Sequence, residues 1–146
     1  MKPQPKTARI VSPAEQLIVT VLHTTPEETA GALEAAVALV ESLTAKIRVI
    51  AIQVVPFPLD LMKPPVPLAF AEEKLRSVAA SAGVHVEVEV YSCRDREETL
   101  LRILPPHSVV AIGTRRHWFR TKEPHLARLL RRNGHEVIVV NSKDTF

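Results

Sequence analysis

The sequence predicts a doubly wound α/β fold, a five-stranded parallel sheet of strand order 3-2-1-4-5 with helices on both faces, and three observations lead to it. Five apolar, β-branched runs of strand length alternate with four segments of helical periodicity, and such alternation is built from right-handed crossovers that place helices over a parallel sheet. The first run, Leu17-Ile18-Val19-Thr20-Val21-Leu22, is apolar almost throughout, as befits a central strand covered on both faces. The third, Val84-His85-Val86-Glu87-Val88-Glu89-Val90-Tyr91, alternates strictly; it should have one dry and one wet face and lie at an edge, with His85 on the wet side. A central first strand and an edge third strand make 3-2-1-4-5 the economical order, with the topological switch between strands one and four.

Each element has its own local signals. Thr25-Pro26-Glu27-Glu28 supplies an N-cap, a proline at the first helical position and a capping-box glutamate, after which Leu33, Ala36, Val37, Val40 and Leu43 recur at helical spacing. Strand two, Ile47 to Val55, stops where Pro56 and Pro58 can no longer donate to a ladder. Pro56, Pro58, Pro64, Pro65 and Pro67 stiffen the connector that follows, which reads either as a packed surface crossing or as a ligand lid. Leu68, Ala71, Leu75, Val78 and Ala82 trace a second helix ending at Gly83. Asp95 and Glu98 cap a short third helix carrying Leu100, Leu101, Ile103 and Leu104, and Pro105-Pro106 ends it. Val109 to Ile112 form strand four. Thr121 is placed to cap a fourth helix with Pro124 in its first turn, Leu126, Leu129 and Leu130 inward, and Asn133-Gly134 as its stop. Val137-Ile138-Val139-Val140 is strand five.

Length and composition fit one core. The chain has 146 residues and is 46% hydrophobic, enough for a single domain over residues 16–142, with a polar, Pro-rich tail at 1–15 expected to be disordered and a short tail at 143–146. Its apolar runs are strand-sized and interrupted by charge, so none is read as a membrane span, and Met1-Lys2-Pro3-Gln4-Pro5-Lys6 lacks the apolar core of a secretory signal. The expected location is the cytoplasm. The single cysteine, Cys93, fits a reducing compartment and reads as an ordinary thiol at a strand end.

The order predicted for the sheet brings Leu22-His23-Thr24 beside Gly113-Thr114-Arg115-Arg116, at the carboxyl ends of strands one and four, where open α/β sheets bind ligands. The formal net charge of +3 is unevenly spread: Arg115, Arg116, Arg120, Lys122, Arg128, Arg131 and Arg132 follow Gly113, opposed only by Glu123, while Glu27, Glu28, Glu34 and Glu41 make the first helix acidic. That is a local cationic surface, suited to an anion or an acidic protein partner more than to nucleic acid. Arg115, Arg116 and Arg120 can grip phosphate or carboxylate in bidentate fashion, and Trp118 or Phe119 offers an apolar face for a base or a partner. The same side chains also suit a solvated helix start and a loop seated on the sheet. Thr114 reads as a ligand donor or as a turn-capping hydroxyl, Thr121 borders the same loop, and His23 is the histidine best placed for ligand contact. The nucleophile elbow G-x-S-x-G, the phosphate loop G-x-x-x-x-G-K-S/T and the zinc helix H-E-x-x-H are all absent from the sequence. His117 and His125 fall near one another in sequence but lack an obvious third ligand, so no metal site is expected.

From Leu17 to Val140 the pattern resembles the universal stress protein family. The matching residues are Val109-Val110-Ala111-Ile112-Gly113-Thr114-Arg115, similar to that family's strand followed by a Gly-Ser-Arg turn, and Leu129-Leu130-Arg131-Arg132 ahead of Val137-Ile138-Val139-Val140. The basic, aromatic turn also resembles the universal-stress-like domain of bacterial potassium-sensor histidine kinases, a regulatory and non-catalytic unit. The resemblance implies an adenine nucleotide alpha hydrolase-like architecture and dimerisation through strand five. It does not extend to standard ATP binding. ATP-binding members carry Asp at the end of strand one, where this chain has Leu22, and a G-x-x-G followed at a distance by G-S or G-T. Here Gly113 keeps the first glycine, Arg116 occupies the second, and Glu123-Pro124 replaces the final pair. Proline lacks the N–H that a phosphate needs, and Glu123 repels an anion.

The expectation is therefore a non-enzymatic regulatory or stress-response module, with a nucleotide or other anionic metabolite at the crevice between strands one and four. The alternatives are a ligand-free adaptor using the basic surface after Gly113, and a nucleotide hydrolase with an unusual site. A homodimer is expected through Val137, Ile138, Val139 and Val140, an edge too apolar to stay bare; the competing reading is that Asn141-Ser142-Lys143-Asp144-Thr145-Phe146 folds back over it and leaves a monomer.

Overall fold

The computed structural model describes residues 17–41, 45–114 and 125–141. In chain order the elements are β1 (Leu17–Leu22), α1 (Pro26–Val40), β2 (Ala45–Val54), α2 (Leu68–Ala80), β3 (Val86–Cys93), α3 (Arg96–Ile103), β4 (Val109–Thr114), α4 (His125–Arg132) and β5 (Glu136–Asn141). All strand pairs are parallel, in the order β3-β2-β1-β4-β5. The predicted architecture is the observed one, because the continuous apolar β1 could only sit between two neighbours and under two helix layers.

The pleat divides the core into two. Val19, Val21, Ile47, Val49 and Ala51 face Ala32, Leu33 and Ala36 of α1 and Leu75 of α2, while Leu22, Ile50, Val110, Ile112 and Val137 face Leu100, Leu104, Ala127 and Leu130 on the opposite side. Alternate residues of one strand thus feed different layers, which is why the central strands are apolar at nearly every position. Leu33, Leu100 and Leu130 are at most 1% exposed; truncating such a leucine to alanine costs about 2–5 kcal/mol.

The caps form as their residue types require. Thr25 Oγ1 accepts the Glu28 N–H at 3.2 Å, and Asp95 Oδ1 accepts the Glu98 N–H at 3.0 Å. Gly134 adopts φ +92° after α4, where the backbone must turn into the left-handed region, and the His135 N–H returns to the Leu130 carbonyl at 3.1 Å.

Several boundaries differ from the sequence reading. β2 begins at Ala45, paired with Leu17, and β3 runs from Val86 to Cys93 instead of Val84 to Tyr91 because β2 supplies partners as far as Val54. Its wet face is partly covered. Arg48 pairs with Glu89 at 3.6 Å and donates to Thr20 Oγ1 at 3.4 Å, while the Tyr91 hydroxyl donates to Glu89 at 2.7 Å. His85 is exposed just before the strand. β4 does not stop at Ile112: Gly113 and Thr114 continue it, paired with Val140 and Asn141. In α2 the buried residues are Leu75 and Ala79, whereas Leu68 is 39% exposed at the first turn. Leu43, Thr121, Pro124 and both tails lie outside the described residues.

Candidate functional site

Parallel strands that end together leave their last carbonyls and the following turns on one rim. At that rim Leu22 pairs with Ile50 on one side and Ile112 on the other, so His23 emerges between the end of β2 and Gly113 of β4. Its backbone N–H still bonds the Ile50 carbonyl at 2.8 Å, which fixes the exit direction of the chain. Thr29, fully buried in the first turn of α1, ties the turn from beneath: its Oγ1 lies 2.8 Å from His23 Nδ1 and accepts the Thr24 N–H at 3.1 Å. Assigning the Thr29 hydroxyl proton to Nδ1 satisfies all three groups and leaves the imidazole with an Nε2–H donor. Burial lowers the His23 pKa and favours that neutral ring.

Beside His23 opens a cavity of about 530 Å³, bounded by the end of β2 (Ala51, Ile52, Gln53, Val54), by Pro65 and Val66 of the connector, and by the Phe70, Ala71, Lys74, Leu75 and Val78 face of α2. Its walls are largely apolar, with His23, Gln53 and Lys74 as the polar groups. Pockets for small molecules usually have this size and this mixture. The Lys74 ammonium sits 5.5 Å from the Phe70 ring centroid, a cation–π distance. Three polar side-chain atoms near the rim, Thr24 Oγ1, Gln53 Nε2 and Ser92 Oγ, are buried without a hydrogen-bond partner among the described residues.

Gly113 has a packing explanation. A Cβ there would run into the Glu28 carbonyl oxygen, with the Glu28 carbonyl carbon and Cα close behind. The first turn of α1 therefore lies directly on β4, and only glycine leaves room for it. That turn also carries Glu27 and Glu28, so the positive end of the α1 dipole is already answered by carboxylates and is a poor phosphate seat.

Of the residues predicted for the site, His23, Thr24, Gly113 and Thr114 come together at the rim. Thr114 spends its hydroxyl on Asn141, donating to Oδ1 at 2.8 Å across the β4–β5 pair. Arg115, Arg116, Trp118, Phe119, Arg120 and Thr121 lie outside the described residues, as does His117. His125 pairs with Glu97 at 3.2 Å. Among the described residues, no group of three or more His, Cys, Asp or Glu side chains is arranged to hold a metal, and no helix is long and apolar enough to cross a membrane.

The sequence reading missed the β2–α2 wall. Its signals were faint: Gln53 is a lone polar residue at the end of an apolar strand, and Val54, Val66 and Phe70 look like core residues until the structure shows them 49%, 43% and 52% exposed around the cavity.

No protein-family model matches the sequence, and no curated protein matches it. Solved structures do. A protein of the universal stress protein family from Burkholderia pseudomallei superposes with a TM-score of 0.53 at 19% identity, over 84% of this chain and 94% of its own. A universal stress protein in complex with cAMP gives 0.55 at 12% identity, over 88% and 98%. The chain has the universal stress protein fold. A third structure of that fold, the universal stress protein from Archaeoglobus fulgidus in complex with dAMP, gives 0.55 at 11% identity, over 86% and 97%. Leu22, at the end of β1, is only 4% exposed and packs with Ile112 and Leu100 in one of the two core layers. A carboxylate there would be buried among apolar groups.

Proposed function

We propose that this chain is a non-enzymatic regulatory module that binds a mononucleotide, or an anion of comparable size, at the carboxyl ends of β1, β2 and β4. The observation that carries the reading is the continuity between the strand switch and the cavity: His23 belongs to both, so a ligand that reaches the switch point can lay an apolar ring against Val66 and Phe70. Two neighbours of this fold were solved with cAMP and dAMP, each carrying one phosphate, which supports a mononucleotide over a triphosphate. Arg116 and Glu123-Pro124 replace the glycines and amides that a triphosphate chain requires. Arg115, Arg116 and Arg120 fall within seven residues of Gly113 in the sequence and would supply the cations for a single phosphate.

The module acts as a homodimer in this proposal. Val137 is buried, Val139 and Val140 are half-buried and Ile138 is 36% exposed on the outermost strand, so a two-fold mate would cover both the backbone edge and Ile138. A second reading, an adaptor without small ligand, draws on the connector, where Phe57 and Met62 are 83% and 84% exposed, as a docking surface would be.

The test is mass spectrometry of small molecules released from freshly purified protein, followed by calorimetry with AMP and with magnesium-ATP. A released mononucleotide, or AMP binding with ATP at least tenfold weaker, supports the proposal. Protein that arrives empty and binds neither favours the adaptor, and micromolar ATP affinity shows that the triphosphate cradle has survived in another form.

A further inference from the structure

We propose that the groove between α1 and the end of α2 is a docking surface for a basic amphipathic helix of a partner protein. Both helices pack against one core layer of the sheet. Between them runs a groove of about 600 Å³, walled along α1 by Ala30, Gly31, Val37 and Ala38 and on the far side by Ala82. These small side chains let another helix come close, and Gly31, a poor helix former inside α1, leaves bare backbone at the wall. The groove is also electronegative. Glu34 and Glu41 stand on the same wall, both exposed, and neither pairs with a cation among the described residues. The lining holds no lysine or arginine. Two helix carboxyl ends add partial negative charge there. α1 and α2 have no basic residue in the last turn, whereas α3 carries Arg102 and α4 carries Arg131 and Arg132 in theirs. Glu41 is itself the C-cap of α1, at the helix end where a carboxylate is least favourable. The two helices that break this charge rule are the two that form the groove, which is where a cation from outside would restore it.

The occupant follows from the spacing and sign of these charges. Glu34 and Glu41 are two helical turns apart, about 10 Å along the axis. A partner helix with Lys or Arg at the same seven-residue spacing reaches both carboxylates, and its intervening apolar residues fall on Val37 and Ala38. Nucleic acid is repelled by the same charge. A second copy of this chain has a basic helix in α4, but Ala127 and Leu130 on its apolar face are fully buried in its own core. The groove shares no lining residue with the cavity at the carboxyl rim and none with β5, so a ligand at the rim leaves it open to a partner.

The experiment is fluorescence anisotropy of the full chain with two labelled synthetic amphipathic helices. One carries lysines at seven-residue spacing beside leucine and alanine; the other has every lysine replaced by glutamate. Wild type should bind the lysine helix at least about tenfold more tightly than the glutamate helix, the scale of two ion pairs, and less tightly once salt cuts the Debye length below about 10 Å. Glu34→Lys with Glu41→Lys should reverse the order of the two peptides. Glu73→Lys with Glu136→Lys, the same change of net charge made elsewhere on the surface, should leave the wild-type ratio within about threefold, since screened charges at a distance act weakly. Thermal melting checks that each variant folds, and the wild-type ratio needs no variant. Equal binding of the two peptides, binding of neither, or an order unchanged by the Glu34 and Glu41 reversal overturns the proposal. So does a wild type without peptide preference whose molar mass in light scattering changes on that reversal, which would give the groove to a second copy of the chain.

Discussion

Replacing Gly113 with alanine tests why the glycine stands at the end of β4. Two explanations compete: room for the first turn of α1, and close approach of a phosphate to the backbone. Gly113 has ladder partners on β5 and is not among the positions of positive φ, so alanine suffers no backbone strain and its whole penalty is steric. The new methyl would overlap the Glu28 carbonyl group, which is main chain in a helix and cannot rotate away. Overpacking costs about 1–3 kcal/mol, and rigid helix backbone belongs at the top of that range. Relief of glycine's unfolded-state entropy returns about 0.5–1 kcal/mol, which leaves a net loss of about 2 kcal/mol. For a chain of this size that is a fall of about 4–8 °C in Tm. Scanning calorimetry of wild type and Gly113→Ala measures it, and nucleotide titration of the same samples separates the explanations. A Tm within 1 °C of wild type, with nucleotide affinity lost, would refute the packing account and restore Gly113 to the phosphate site.

Further outcomes are expected. Burial and the neighbouring His107 lower the pKa of His135, whose Nδ1 accepts the Ser108 N–H at 3.1 Å; the fold favours the neutral ring, so this contribution to stability is complete above the unfolded pKa of about 6.5 and declines as pH falls through that value toward the lowered folded one. Urea unfolding at pH 7 and pH 5 should show the loss, and His135→Asn, which keeps an acceptor but no titrating proton, should flatten the profile except for the share due to His23. Arg115→Ala with Arg116→Ala should abolish anion binding by calorimetry and move Tm by less than about 2 °C; retained affinity with a large fall in Tm would make the pair structural. Ile138→Lys should convert a dimer to a monomer in light scattering, by placing a charge on the outermost strand; an unmodified chain that is monomeric at micromolar concentration contradicts the strand-five interface.

The sheet was legible because its signals are local and redundant. β1 is apolar on both faces, the Thr25 and Asp95 caps are each followed three residues later by glutamate, and Gly134 ends α4 as its residue type suggests. Strand ends were less legible: nothing within Tyr91-Ser92-Cys93 marks continuation, and β3 extends to Cys93 only because Val54 of β2 is there to pair with it. The candidate site was half legible. His23 and Gly113 follow from the strand order, but the cavity wall depends on how the proline-rich connector carries α2 over the end of β2, a tertiary fact that periodicity does not encode. At Gly113 the structure adds a steric role that the sequence could not show, since glycine beside a helix and glycine beside a phosphate look alike in one dimension.

The most direct measurement is two-dimensional amide NMR of the uniformly 15N-labelled chain during titration with AMP. Saturable shifts should concentrate at His23, Thr24, Gln53, Val54, Thr114 and the residues that follow it, with α3 and the amino ends of the strands unchanged. Saturable shifts centred away from the carboxyl ends of β1, β2 and β4, or none at millimolar AMP, would contradict the proposed site.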